Sequence, residues 1–389
     1  VSYRSLLRAA GVGFFPLGFL ARLPYAASAL STLCLLQAST RSYAFAGLAS
    51  AAQSIAIAVG GPLIGALADR YGHRAVGVAA AIANFCAWAA LLAVSQGGGR
   101  ESMLVAATVV GLTQPPVGPL VRVHWSRLLR ARDEQHHLLS TALSYEASAD
   151  EVSFIAGPAL VGALMAVGPL APAVAVMSLI AVSTLPFALF YAHRSPSGEQ
   201  RKPHPSRLPR RPLAVMVLAM AAMGAIFGAV QTAVTVYADT IGRPGVSGLV
   251  YAEFGIGSAL AGAACAWLPR RFGLRARYVS FAAVLFVGML VLFAGARLVS
   301  LPAAVALASF TVAPYMISLY ALTERLAPTE RATAAMTILC AGGPLGTAAG
   351  QAVSGGLAET YGVDGALSVA LAVGAGALTL ALTCGRRLP

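Results

Sequence analysis

The stretch LSYEASADEVSFIAGPALVG, residues 143–162, sets Glu146, Asp150 and Glu151 in an otherwise apolar run. On a helix, Glu146 and Asp150 are four apart and share a face, while Glu151 is turned by about 100° from Asp150. Three carboxyls this close cannot all stay ionised cheaply in an apolar surrounding. Such a group can take up and release protons, or it can be neutralised by bases. Two bases are available inside apolar runs: Arg22, in GFLARLPYAAS, and Arg122, in GLTQPPVGPLVRVHW. Glu253 is a fourth acid so placed. Four acids against two bases leave two charges unpaired, a gap that protons can fill. Three readings stay open: proton coupling, a fixed ion-pair network, and a salt bridge to a charged solute.

The elements that hold these groups follow from composition. The chain has 389 residues, 58% hydrophobic and only 11% charged, with a mean hydropathy of +0.76. A soluble domain carries about a quarter charged residues, and one core of this size cannot hide so much apolar surface. Lipid is therefore the expected solvent, and the lipid bilayer the expected surrounding. The five cysteines fall in apolar runs without short spacings and read as small buried hydrophobes. The six histidines lack metal-ligand spacing apart from the adjacent pair His136-His137, so neither a metal nor an organic cofactor is expected. No phosphate-binding glycine loop and no nucleophile–base pairing are visible, so ATP-driven work and enzyme chemistry are not expected.

A spanning helix needs about 20 apolar residues. Twelve such runs can be cut, at 11–38, 43–66, 75–95, 102–125, 138–166, 170–192, 213–238, 245–268, 278–296, 300–323, 334–357 and 364–384. Asp150 then lies about 18 Å along the fifth run, near mid-membrane. The gap HRSPSGEQRKPHPSRLPRR, 193–211, is basic and proline-rich and reads as a linker. The expected domains are a six-helix bundle at 1–192, a linker at 193–212 and a second bundle at 213–389. Of the 27 Lys and Arg, 21 fall on the side of the termini and linker and four on the other, with Arg22 and Arg122 inside runs. That bias places both termini in the cytoplasm of a multi-pass protein of the cell membrane. It also explains the excess of base without nucleic acid as a partner.

A second copy of one segment supports the six-plus-six division. LADRYGHR, 67–74, matches LPRRFGLR, 268–275, at an offset of 201, and the match runs upstream through Gly47 with Gly248 to Gly61 with Gly262. GALADRYGHR, with Gly65, Leu67, Asp69, Arg70, Gly72 and Arg74, resembles the signature loop of the major facilitator superfamily. The resemblance implies an all-α membrane protein with twelve transmembrane helices in two pseudo-symmetric six-helix halves. It implies a loop that latches the halves in one state and releases them in another. In the residues themselves, Gly65 permits close helix approach, Gly72 a tight turn, and Arg70 and Arg74 anchor the loop, with Asp69 at a helix end.

The same resemblance implies a central cavity lined by the first, fourth, seventh and tenth helices. Here these supply Arg22 and Tyr25; Thr113 and Gln114; Phe227, Gln231 and Thr235; Tyr315 and Ser318. Pro115, Pro116 and Pro119 should break the fourth helix. The lining is mostly apolar, which suits an amphiphilic or aromatic solute better than a sugar. Many proton-coupled relatives carry an Arg in the fourth helix, where this chain has Gly111. Gly157-Pro158 resembles part of a motif of the drug/proton antiporter-like bacterial members, without their longer glycine ladder. The expectation is a monomeric secondary transporter working by alternating access, exporting small amphiphilic or aromatic compounds against protons. Symport or facilitated uptake of a metabolite, and a receptor that has lost transport, are the alternatives.

Overall fold

The computed structural model describes residues 7, 10–118, 121, 125, 136–191, 209–265, 273–328 and 332–384. Among the described residues the protein is all-helical. Before residue 192 lie α1 (Phe14–Leu20), α2 (Leu23–Thr40), α3 (Tyr43–Tyr71), α4 (His73–Ser95), α5 (Arg100–Thr113) and α6 (His136–Met165). They are followed by α7 (Ala171–Leu179) and α8 (Leu185–Tyr191), joined by a π turn at Ile180–Thr184. After residue 208 come α9 (Arg210–Thr240), α10 (Val246–Ala264), α11 (Leu274–Leu298), α12 (Leu301–Ser309), α13 (Val312–Leu326) and α14 (Ala332–Cys384). Helix α14 is interrupted at Gly362, whose φ of 57° and ψ of −138° are non-helical.

Eight stretches among the described residues are long and apolar enough to cross a membrane: Phe14–Thr40, Tyr43–Ala68, His73–Ser95, Ala171–Tyr191, Arg210–Thr240, Leu274–Leu298, Leu301–Leu326 and Ile338–Cys384. Val152–Met165 and Val246–Gly262 are shorter apolar helices. In lipid each backbone polar group must find its partner within the protein, and apolar runs of about 20 residues do this as helices. Large apolar side chains accordingly face outward, among them Val105, Phe190, Leu218 and Val287. Lipid as solvent also corrects the reading of the cysteines. Cys34 is buried, but Cys86 and Cys340 are exposed and Cys265 and Cys384 are intermediate, since an apolar side chain loses nothing by facing lipid.

Prolines and glycines set the breaks. Pro24 opens α2 one turn after α1 has ended, leaving Ala21 and Arg22 at the joint. Helix α5 stops at Thr113, and Gln114, Pro115 and Pro116 are non-helical. Gly72 turns the chain between α3 and α4 at φ 95°, a value only glycine adopts readily.

Buried apolar clusters stay within one part of the chain. One runs from Met216 to Ala381, and two others draw only on residues between Phe14 and Phe187. Among the described residues, the parts before and after 192–208 meet chiefly along three seams. Helix α3 lies on α14 where a Cβ at Gly47 would come 2.4 Å from the Gln351 carbonyl, and one at Gly355 2.6 Å from that of Tyr43. Helix α6 lies on α10 where a Cβ at Gly248 would come 1.9 Å from the Pro158 carbonyl. Helix α2 meets α9 where Gln37 Nε2 donates to Asp239 Oδ2 at 2.9 Å. The repeat partners Gly47 and Gly248 thus both lie at backbone-contact points of a seam.

All three seams lie toward the ends of the helices remote from Tyr71, Tyr191 and Arg210. We call this the far face and the opposite one the linker face. Nearer the linker face, a Cβ on Gly61 or Gly65 of α3 would meet nothing within 4 Å, and Leu63, Leu67 and Tyr71 are exposed. Among the described residues the close contacts between the two parts lie on the far face.

Candidate functional site: a buried arginine shared by two carboxylates

Arg22 stands at the α1–α2 joint with 5% of its surface exposed. A guanidinium offers five N–H donors in a fixed plane, and each edge is used. Nη1 donates to the Gly18 carbonyl at 2.6 Å, one helical turn back. Nε donates to Asp150 Oδ1 at 2.8 Å. Nη2 donates to Glu146 Oε2 in a close ion pair. The four-residue spacing on α6 delivers both carboxylates to one arginine.

The two acids are not equivalent. Glu146 is fully buried, and its second oxygen, Oε1, accepts from Trp125 Nε1 at 2.6 Å. Asp150 keeps 26% of its side chain exposed. On α1 and α8, Phe14, Phe15, Phe187 and Tyr191 pack around Trp125 or one another with ring centroids 5.0–6.0 Å apart. This aromatic shell keeps water from the Glu146 end of the cluster. Tyr25 lies edge-on to Phe154 and within electrostatic reach of Asp150 and of Cys340 on α14. Asp150 is therefore the more exposed acid of the cluster.

A second polar array crosses from one part to the other. Gln53 donates to Ser28 Oγ, and Ser28 Oγ donates to Gln114 Oε1 at 3.4 Å. The adjacent Ser54 donates to Gln351 Oε1 at 3.4 Å, and Gln351 Nε2 donates to Gln231 Oε1 at 2.8 Å. Gln53 Oε1 is buried without a partner. The break at Pro115 and Pro116 is what brings Gln114 to this row.

The expected residues divide. Arg22, Glu146 and Asp150 come together, with Tyr25 beside them. Glu253 does not join them. Gly248 pairs with Pro158 and Gly255 with Ile155 across the α6–α10 seam, so Glu253 stands level with Gly157, about 10 Å along the axis from Asp150. The antiparallel register carries it away. Gln114 and Gln231 belong to the amide row, while Thr235 bonds the Gln231 carbonyl and Thr113 the Val109 carbonyl. Phe227 packs edge-on to Phe254. Tyr315 and Ser318 are not on a cavity wall. Tyr315 is fully buried and stacked on Tyr278 of α11, and Ser318 donates to its carbonyl at 2.6 Å; that face of α13 points into its own bundle.

In the loop GALADRYGHR, Gly72 makes the expected turn, and Arg70 lies over the Tyr71 ring at 5.2 Å. Arg74 is half-buried and forms no ion pair among the described residues. Gly65 makes no close approach to the described residues; the tight contacts of α3 fall instead at Gly47 and at Gly60, against Leu112. The side chains of Asp69 and Glu151, and all of Arg122 and Pro119, lie outside the described residues. Gly111 packs on the Gln53 carbonyl, which a Cβ would approach to 2.2 Å. An arginine cannot occupy that position, and the basic member of the cluster comes from the α1–α2 joint.

Trp125, Gln53 and Gln351 were not anticipated. Each had a signal, a lone hydrogen-bonding side chain within or at the end of an apolar run, where a polar group needs a partner.

The family profile for the Major Facilitator Superfamily matches residues 14–300. The chain belongs to this superfamily. It is a transporter and not an enzyme. No curated protein sequence matches it. The nucleoside transporter NupG superposes with a TM-score of 0.71 at 17% identity, over 95% of this chain and 96% of that one. A D-xylose-proton symporter gives a TM-score of 0.69 at 15% identity, over 96% and 97% of the two chains. The POT family transporter PepTSo gives 0.71 at 10% identity, over 96% and 97%. At these identities the likeness concerns the fold.

Proposed function

We propose that this superfamily member is a proton-coupled secondary transporter that exports small amphiphilic or aromatic compounds by alternating access. The reading takes twelve transmembrane helices in two six-helix halves, residues 1–192 and 213–389, joined by a cytoplasmic linker at 193–212. It takes the protein to be a monomer in the cell membrane with both termini in the cytoplasm. The linker face is then the cytoplasmic face, and the closed far face makes this an inward-facing state.

The observation that carries the proposal is the sharing of Arg22 between Glu146 and the partly exposed Asp150. Glu146 is fully buried and accepts N–H donors on both oxygens, whereas Asp150 is part-exposed, so Asp150 is the acid that a proton can reach. Asp150 is the proton carrier. A proton on Asp150 cancels the charge that holds Nε, and Arg22 then rests on Glu146 and the Gly18 carbonyl alone. Because Arg22 sits at the α1–α2 joint, this loosens the attachment of that joint to α6. An unpaired buried charge is costly, so a cationic or polar solute group and a proton compete to satisfy the same cluster. Tyr25 and Phe154 offer aromatic faces beside it.

The amide row favours a second reading, proton symport of a neutral hydrogen-bonding metabolite. Flux in liposomes separates the two. The purified protein is reconstituted with an internal pH dye and an imposed gradient, and amphiphilic amines and neutral nucleosides are added in turn. Solute-triggered proton movement that disappears in Asp150→Asn supports the assignment. Solute flux without proton movement, equal in wild type and variant, rejects it.

A further inference from the structure

We infer that Asp239 and Glu359 form a two-point latch that holds the far face shut by gripping the turn between α2 and α3. The inference rests on alternating access in this superfamily and not on the proton assignment at Asp150.

The turn is built for this contact. Helix α2 ends at Thr40, and Arg41 adopts the left-handed region at φ 54°. Ser42 then caps α3, its Oγ accepting from the Phe45 N–H at 3.1 Å. The first turn of α3 contains no acid of its own. Its free N–H groups and the helix dipole favour a negative charge there. Glu359, from α14, supplies one. Its Oε1 accepts from the Ala44 N–H at 3.0 Å and from the Ser42 hydroxyl, and Arg100 adds a favourable charge nearby. On the other flank, Asp239 near the end of α9 accepts from Tyr43 OH at 2.7 Å and Gln37 Nε2 at 2.9 Å through one oxygen, Oδ2.

Every donor comes from residues 37–44 and both acceptors come from the part of the chain after residue 208. The two bonds onto Asp239 and the two onto Glu359 therefore exist only while the far face is closed. Beneath them the seams are glycine against backbone, at Gly47 with Gly355 and Gly162 with Gly248. Surfaces of this kind part without leaving polar groups unsatisfied. Among the described residues, the rim bonds are the ones that join one part to the other through charge. Neutralising the acids keeps the side-chain shapes while removing the charge assistance.

The test places spin labels on Gln96→Cys, in the exposed turn before α5, and Arg243→Cys, in the exposed turn before α10, with the five native cysteines replaced by serine. Distances are measured in liposomes. In the otherwise unaltered chain the short, closed-face distance is expected to dominate. Asp239→Asn and Glu359→Gln should each add a longer component, and the double variant should raise the open-to-closed ratio at least tenfold. Gln37→Leu with Tyr43→Phe leaves both acids in place and removes the donors to Asp239, and should give the Asp239→Asn shift. An unchanged distribution in the double variant overturns the latch. If the double variant does not fold, an unchanged distribution in Gln37→Leu/Tyr43→Phe overturns it instead.

Discussion

The indole N–H of Trp125 donates to Oε1 of Glu146 at 2.6 Å, on the carboxylate oxygen that Arg22 leaves open. A charged acceptor with both oxygens engaged in a dry aromatic shell is a fixed point. The neighbouring Asp150, bonded to Arg22 through Oδ1 and partly exposed, is the movable one. The chemistry proposed for the cluster follows from this inequality.

Glu146→Gln and Asp150→Asn should therefore differ in kind. Removing the buried partner leaves the Arg22 charge under-compensated, at a cost of about 3–5 kcal/mol. Asp150→Asn should cost less, because Asp150 is only partly buried and Glu146 still pairs with Arg22. Detergent-solubilised melting curves check the first, and solute-driven proton flux the second. Equal melting losses with coupled flux intact in Asp150→Asn would contradict the division.

Trp125→Phe removes one hydrogen bond to a charged group and keeps an aromatic ring against Phe14. The expected loss is about 1.5–3 kcal/mol, read as a fall in melting temperature. Trp125→Phe in a Glu146→Gln background should cost clearly less than in the wild type. A full additive loss would show that the indole matters only through packing.

Gln53→Leu and Gln351→Leu should separate stability from solute handling. The Gln53 oxygen has no partner, so its removal forgoes one bond to Ser28 and also relieves an orphan acceptor. Its stability change should stay within about 1 kcal/mol. Gln351→Leu strands Gln231 Oε1 and should cost about 1–3 kcal/mol. If the amide row reads solute, both variants raise the half-saturating concentration for transport, and the melting loss does not track that effect.

Gly248→Ala and Gly65→Ala probe opposite faces. A methyl at 248 would meet the Pro158 carbonyl at 1.9 Å and the Gly162 nitrogen at 2.3 Å, whereas one at 65 meets nothing. Gly248→Ala should hold the far face open, seen as a longer label distance between positions 96 and 243. Gly65→Ala should leave that distance and the melting temperature unchanged, yet slow turnover if the linker face must close over position 65. Normal turnover in Gly65→Ala would remove the reason for glycine in the loop.

The sequence by itself determined that the chain is a membrane protein of apolar helices. The scarcity of charge and the length of the apolar runs allow no other way to satisfy the backbone in lipid. It also pointed to the Glu146–Asp150 face and to Arg22 and Arg122 as its possible bases, because intramembrane charges are too costly to stand alone; the fold decided for Arg22. The turn at Gly72 and the break after Thr113 were legible for local reasons, φ freedom and missing N–H groups. Register was not legible. Glu253 misses the cluster because the α6–α10 seam sets it level with Gly157, and Tyr315 turns inward because it stacks on Tyr278. Which oxygen of which acid is engaged, and by Trp125, depends on side chains meeting from three separate segments. The far-face grip of Asp239 and Glu359 on residues 37–44 likewise joins positions some two to three hundred residues apart. Local pattern reports which groups need partners in lipid; the packing of helices decides which partners they reach.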